Sequence, residues 1–279
     1  RVRVASKSVR NVEVLRRILA SAEAYRGVMC YTGAEAVFLA REGFDDLLLG
    51  YPIWESESIA ELIRLIGEGR TIALMVDGEE QVEHIERVAA PQGVVVPLCL
   101  DIDMSSDYPG LHFGVWRSPL TSWAAARPLV ERIARSRHVR LDGVMGYEAQ
   151  IAGVGDRVEG QGAKNAMVRL LKKRSVREVA RRRAEVVAGI EAMGLPLRFV
   201  NGGGTGSIAN TREEACVTEI TAGSGFYAPG LFDGYRDFRY EPAAGFAVDV
   251  VRRPRADMVT CLGGGYVASG ASDRTKQPK

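Results

Sequence analysis

Eight short apolar runs recur along this 279-residue chain, most of them followed by a turn and an amphipathic helical segment. They are Val2–Ser6, Gly27–Tyr31, Asp46–Gly50, Thr71–Val76, Val94–Ile102, Leu141–Tyr147, Leu197–Asn201 and Glu219–Ala222. Runs of this kind, apolar without strict alternation, are what strands covered on both faces require. Strands alternating with helices imply a parallel sheet joined by right-handed crossovers. Eight such units in a chain of this length imply an α/β fold of closed (β/α)8 barrel type. The competing open, doubly wound sheet would fit a GxGxxG turn after the first strand, and none follows Val2–Ser6.

Helix starts are marked by the capping-box pattern, in which a hydroxyl and a carboxylate three residues later satisfy each other's free backbone N–H groups. It occurs at Thr32–Glu35, Ser58–Glu61, Ser175–Glu178 and Thr211–Glu214, and Asn11 is expected to cap a helix over Val12–Ala24. Gly27, Gly43 and Gly194 are placed where a helix end often needs a positive φ. The barrel is expected to occupy residues 1–244. Phe246–Val251 and Met258–Leu262, with Gly263-Gly264-Gly265, are expected to begin a second, mostly β domain over 245–279, which breaks off at Lys279. The chain opens directly on a strand without an initiator Met, as if cut at both ends.

Apolar residues make up 46%, charged residues 26%, and the net charge is +2, which describes an ordinary globular protein with no overall pull toward polyanions. Cys30, Cys99, Cys216 and Cys261 are far apart, in apolar or small-residue surroundings. They suggest reduced thiols rather than a disulfide framework or zinc knuckle. His84, His112 and His138 show no metal-ligand spacing. The basic run Arg169–Arg183 lacks interleaved aromatics and is expected to be a solvated helix face, not a nucleic-acid site. No stretch is long and apolar enough to span a bilayer, and a cytoplasmic location is expected.

Active sites of barrel enzymes lie at the C-terminal ends of the strands. Lys7 stands there in Val4-Ala5-Ser6-Lys7-Ser8; a desolvated amine at a barrel mouth loses its proton more readily and can form a Schiff base, although a lysine seen alone is more often a surface residue. Asn201-Gly202-Gly203-Gly204-Thr205-Gly206-Ser207 follows the seventh run and Thr221-Ala222-Gly223-Ser224-Gly225 the eighth, where barrel enzymes commonly bind phosphate. Glycines let backbone N–H groups approach an anion, and the hydroxyls add donors; two tight strand-to-helix turns would show the same composition. Asp101 and Asp103 end the fifth run and can bind a metal, orient a basic group or cap a helix; a supporting role is favoured. Arg117 can pair with an anionic oxygen or be a solvated loop residue. Tyr147 can lie against a planar ring or merely pack at the rim.

With these residues in place, the chain resembles the alanine racemase N-terminal-domain superfamily of fold-type III pyridoxal-phosphate (PLP) enzymes, and within it the D-threonine aldolase-like, or amino acid deaminase/aldolase, branch. The resemblance implies that Lys7 holds the cofactor and that Tyr147 lies near its ring. It further implies that Gly203, Gly204, Thr205 and Gly206, with Gly223 and Ser224, bind its phosphate. Thr221 matches the position that contacts the pyridine nitrogen, and its polar side chain, in place of an arginine, looks more aldolase-like than racemase-like. Arg117 matches an arginine near the phenolic oxygen. Two departures concern the reaction: Ala5 and Val9 stand near places where the aldolase pattern has histidines, and the family's divalent-metal ligands and the racemase's second base belong to the C-terminal β domain.

The implied activity is cleavage of a D-3-hydroxy amino acid to glycine and an aldehyde, with the protonated cofactor ring as electron sink and a divalent metal from the C-terminal domain assisting. Racemase or D-serine dehydratase/deaminase activity is the alternative, and a non-catalytic PLP carrier a third, against which the start of a β domain argues. A small amino acid substrate and a homodimer are expected.

Overall fold

A computed structural model describes residues 1–263 of the chain. Eight parallel strands close into a barrel: β1 (Val2–Ala5), β2 (Tyr25–Cys30), β3 (Leu47–Leu49), β4 (Ile72–Val76), β5 (Val96–Ile102), β6 (Val139–Gly146), β7 (Phe199–Gly202) and β8 (Glu219–Ala222). Each expected run holds one strand, with ends shifted by up to two residues. Closure comes from β1, which pairs with β2 on one side (Val4↔Val28) and β8 on the other (Val4↔Ala222).

Residues alternate between two cores, as strand geometry dictates. One set, including Val4, Leu47, Leu74, Leu98 and Val144, packs outward against the helices. The other, Leu48, Ala73, Met75, Cys99, Met145 and Phe199, fills the barrel interior. Gly143 is glycine because a Cβ there would run into the Phe199 ring. The base of the interior is charged: Arg3, fully buried, donates to Glu219 from Nε (2.7 Å) and Nη2 (2.9 Å), and Nη2 also reaches Asp46 at 3.0 Å.

Asn11 caps the helix Val12–Ser21 through the Val14 N–H (3.0 Å), and Thr32 caps Gly33–Arg41 through the Glu35 N–H (3.2 Å), while Glu35 accepts from the Tyr31 N–H (2.5 Å). The other three capping patterns do not start helices. Ser58 lies inside Ser56–Gly67, and Ser175 lies mid-way along a 31-residue helix, Gly162–Ala192, where its hydroxyl meets Ser106 (2.9 Å) and accepts from Gln150 (2.7 Å). Thr211 ends the short helix Ile208–Thr211, and its hydroxyl donates to Glu148. Burial decides the last two cases, because an inward-facing hydroxyl finds a tertiary partner before a helix end. Gly43 and Gly194 do follow helices with positive φ (89° and 75°), but Gly27 (75°) sits within β2, where a Cβ would approach the Asp46 carbonyl oxygen to 2.6 Å.

Beyond the barrel, strands Asp249–Arg255 and Met258–Leu262 form an exposed antiparallel hairpin. It falls in the segment expected to begin a β domain. The rest of that segment, with Gly264 and Gly265, lies outside the described residues. No helix among the described residues is long and apolar enough to cross a membrane. The cysteines are free; Cys30 and Cys99 are buried, Cys216 is half-buried, and Cys261 is exposed on the hairpin.

Candidate active site

The residues singled out from the sequence gather around the C-terminal mouth of the barrel. Lys7 is not the last residue of β1. It falls just beyond it, in the single helical turn Ser6–Val9, which the Ser6 hydroxyl ties to β2 by donating to the Met29 carbonyl (2.9 Å). From there Lys7 Nζ lies 5.7 Å from the centre of the Tyr31 ring. Tyr31 stands edge-on to Tyr51 (5.4 Å), and the Arg117 guanidinium lies over Tyr51 (4.9 Å) and Tyr147 (5.9 Å). One arc of side chains thus runs from Lys7 across the ends of β2 and β3 to Arg117 and then to Tyr147 after β6. Tyr31 and Tyr51 were missed in the sequence; their signal was position, one residue past β2 and two past β3. A cavity of about 350 Å³ opens on the outer side of Lys7, between the helices Val12–Ser21 and Gly33–Arg41, lined by Arg10, Asn11, Glu35 and Phe38 among others.

Arg117 is no solvated loop residue. Its Nε donates to Asp101 (3.0 Å), its Nη2 donates to the Gly50 carbonyl (2.6 Å), and its backbone N–H donates to Asp103 (2.8 Å). Asp101 and Asp103 thus play the supporting part expected of them, orienting a basic group. Burial pushes the Asp101 carboxyl up to about 7; the Arg117 charge works against that rise, and Asp77 and Asp103 add to it. Asp103 is held below the ordinary carboxylate range by hydrogen bonds from the Ser105 side chain and from the backbone of Arg117, Ser105 and Ser118, which together outweigh its burial. Burial, with Glu148 and Tyr51 nearby, raises the Tyr147 phenol.

The loops after β7 and β8 meet. The Thr205 and Ser224 hydroxyls lie 3.4 Å apart, and the Gly225 N–H donates to Thr205 (3.0 Å). The turn after β8 also abuts the lysine turn: a Cβ on Gly223 would lie 2.9 Å from the Ala5 Cβ and 3.1 Å from that of Ser8. Gly203 takes φ of 83°, and a Cβ on Gly204 would lie 3.0 Å from the Tyr147 ring. The Thr205 and Gly206 N–H groups have no acceptor among the described residues. Backbone donors, hydroxyls and an absence of side chains make a cup suited to an anion such as a phosphate monoester. Thr221, in the mouth-proximal half of β8, shares hydrogen bonds with Asn201, accepting from its Nδ2 (2.8 Å) and lying 3.1 Å from its Oδ1. Among the described residues, no group of three or more His, Cys, Asp or Glu side chains is placed to hold a metal ion.

Residues 1–229 match the family described as alanine racemase, N-terminal domain. The chain belongs to that family. A 3-hydroxy-D-aspartate aldolase of Paracoccus denitrificans (strain Pd 1222) is 27% identical over 199 residues, which cover 71% of this chain and 46% of the relative. The chain therefore spans about half the length of the curated relative it matches. Among solved structures, D-threonine aldolase from Filomicrobium marinum superposes with a TM-score of 0.76 at 19% identity, over 95% of this chain and 66% of that one. A D-threo-3-hydroxyaspartate dehydratase from Delftia sp. HT23 gives 0.57 at 22% identity, over 80% and 53%.

Behind the cup of this alanine racemase-type barrel lies a buried ionic network that the sequence did not reveal. Glu148, 1% exposed, accepts from Arg183 Nη2 (2.9 Å), from the Ser207 hydroxyl (2.9 Å) and from the Thr211 hydroxyl. Arg183, fully buried, also donates to the Gly146 carbonyl (3.0 Å) and pairs with Glu214. The basic run was expected to be a solvated face; Arg183 is a correction to that. It points inward because its position on the helix Gly162–Ala192 shares a face with buried Val179, Val186 and Val187.

Proposed function

We propose that this chain is the PLP-binding barrel of a D-threonine aldolase-like lyase that cleaves D-3-hydroxy amino acids, with Lys7 as the residue that holds the cofactor. The observation that carries the reading is the meeting of the loops after β7 and β8 at Thr205 and Ser224, directly beside the turn bearing Lys7. The residues present suit PLP: an anion cup, a lysine-bearing turn packed beside it, an aromatic ring against Gly204, and a hydroxyl in β8. Family membership and the aldolase names of the relatives support the same reading.

When bound, PLP supplies the electron sink that lets a bond at the amino acid's Cα break. The chain's own residues do the rest. Gly203, Gly204, Thr205, Gly206, Gly223 and Ser224 hold the phosphate with N–H and hydroxyl donors. Thr221 would meet the pyridine nitrogen and Tyr147 would pack by the ring. Arg117, fixed by Asp101 and the Gly50 carbonyl, would offer its guanidinium charge to an anionic oxygen of the ring. Cleavage of the Cα–Cβ bond would pass the β-hydroxyl proton to a base and leave an aldehyde, and protonation at Cα would give glycine. A divalent metal from the C-terminal region, a homodimer and a cytoplasmic location belong to the same proposal. A dehydratase is the second reading, favoured by the likeness to the Delftia fold.

The test is an absorbance spectrum with added PLP, before and after borohydride, for wild type and Lys7→Ala. A visible band that borohydride fixes covalently to Lys7 is expected in wild type alone; a folded protein without it overturns the reading. Incubation with D-threonine and 3-hydroxy-D-aspartate then separates aldolase, which releases glycine, from dehydratase, which releases ammonia.

A further inference from the structure

We infer that Glu148 and Arg183 are positioning residues for the cofactor phosphate, acting through Ser207; this rests on the PLP reading above. The loop Gly203–Ser207 has no regular structure of its own, yet a phosphate cup works only if its N–H groups already converge. Ser207 anchors the loop to the layer behind it. Its hydroxyl accepts from the Gly204 N–H (3.0 Å) and donates to Glu148 Oε1 (2.9 Å), and its own N–H closes the turn on the Gly204 carbonyl (2.9 Å). One residue therefore fixes the two ends of the segment that carries the free Thr205 and Gly206 N–H groups.

Glu148 can play this part only because Arg183 holds it. A carboxylate with two hydroxyl donors on one oxygen needs its charge met, and the Arg183 guanidinium meets it at 2.9 Å on the other oxygen. The same guanidinium grips the last carbonyl of β6, Gly146, and a Cβ on Gly202 would lie 3.0 Å from its Cζ. Arg183 thus fastens the end of β6, which delivers Tyr147, to the end of β7, which delivers the loop. The network does not attract the phosphate by charge: Glu148 and Glu214 set two carboxylates against one guanidinium, a balance that repels an anion. Its contribution is geometric.

This makes a prediction that a generally destabilising defect does not. Loss of the anchor weakens ligands that use the phosphate cup and spares one that does not. The experiment measures binding of PLP and of pyridoxal, which has the aldehyde and ring but no phosphate, to wild type and Arg183→Met. Arg183 is buried in the long helix and reaches the cup through Glu148, Gly146 and Gly202. PLP affinity is expected to fall by about tenfold or more, the order of one lost hydrogen-bonded anchor, while pyridoxal affinity changes by less than about twofold. Ser207→Ala, a milder change that cuts only the link between loop and Glu148, is expected to show the same selectivity and serves if Arg183→Met does not fold. Equal weakening of PLP and pyridoxal, or unchanged PLP affinity in Ser207→Ala, overturns the inference. Failure of wild type to bind either aldehyde covalently at Lys7 overturns instead the cofactor reading on which it rests.

Discussion

Replacing Asp101 with asparagine should remove a steep pH dependence of stability from the wild-type protein. Asp101 is 1% exposed at the end of β5, and its carboxyl is pushed up to about 7 by burial, against the opposing charge of Arg117 at 2.9 Å. In the unfolded chain the same group titrates at about 3.9. Between those values the folded protein holds a proton that the unfolded chain has released. The stabilisation is therefore complete below the unfolded value and is lost as pH rises through about 7. A difference of about three units at about 1.36 kcal/mol each sets an upper limit of about 4 kcal/mol. The asparagine side chain has the same shape and no proton to release. Urea unfolding of both proteins across roughly pH 4 to pH 8 isolates the effect, because every other titrating group contributes to both curves. Wild type should lose stability relative to Asp101→Asn over that window. Parallel curves would refute the burial argument, and a wild type that gains on the variant as pH rises would mean that Arg117 outweighs desolvation.

Glu219→Gln replaces the bidentate partner of buried Arg3, which keeps Asp46 at 3.0 Å, and should cost about 1–3 kcal/mol in urea unfolding. Gly223→Ala places a Cβ 2.9 Å from that of Ala5 and 3.0 Å from its carbonyl oxygen; a loss of about 1–3 kcal/mol is expected, and PLP affinity should fall with it. The Tyr147 hydroxyl makes no hydrogen bond among the described residues, so Tyr147→Phe should bind PLP within about twofold of wild type, whereas Tyr147→Ala, which removes the ring, should weaken it clearly.

The barrel could be read from the sequence because its signal is repeated. Strands such as Ile72–Val76 are apolar on both faces, and the strands are separated by segments of helical period. The anion cup was legible for a related reason: glycine and hydroxyl residues concentrate after β7 and β8, where the fold says a phosphate belongs. What escaped was long-range pairing. Arg183 and Arg182 are adjacent arginines in one basic run, yet the first is fully buried and the second half-buried on the same helix. Nothing in their spacing shows that Glu148, 35 residues away, waits on the other side. Ser175 and Thr211 misled in the same way, since a hydroxyl followed by an acid three residues later fits both a helix start and an inward-facing side chain with a tertiary partner. Arg117 was identifiable as a candidate, but its orientation came from Asp101 and Gly50, which belong to different strand ends.

The placement of charge inside this barrel has a logic of its own. A barrel filled only with Leu, Met and Phe could not hold a polar ring system at its mouth, because Thr221 would have no partner to fix its hydroxyl. Here polarity enters from the base. Arg3 satisfies Glu219, Glu219 accepts from Asn201 Nδ2 (2.6 Å), and Asn201 in turn donates to Thr221 (2.8 Å). Each group is buried and each is hydrogen-bonded, the condition under which polar residues are tolerated in a core. The column runs along β1, β7 and β8, the three neighbouring strands whose ends carry the lysine turn and the two halves of the cup. Opposite it, Leu48, Ala73, Met75 and Cys99 on β3, β4 and β5 keep the interior apolar. The interior is therefore mostly polar on the β1–β8–β7 side, with Phe199 as its apolar member, and mostly apolar on the β3–β5 side below Asp101 at the mouth. Substitutions on the two sides should separate accordingly when urea unfolding and PLP affinity are measured together: Met75→Ala should act on stability alone, and Asn201→Leu on Thr221 and the ligand it holds.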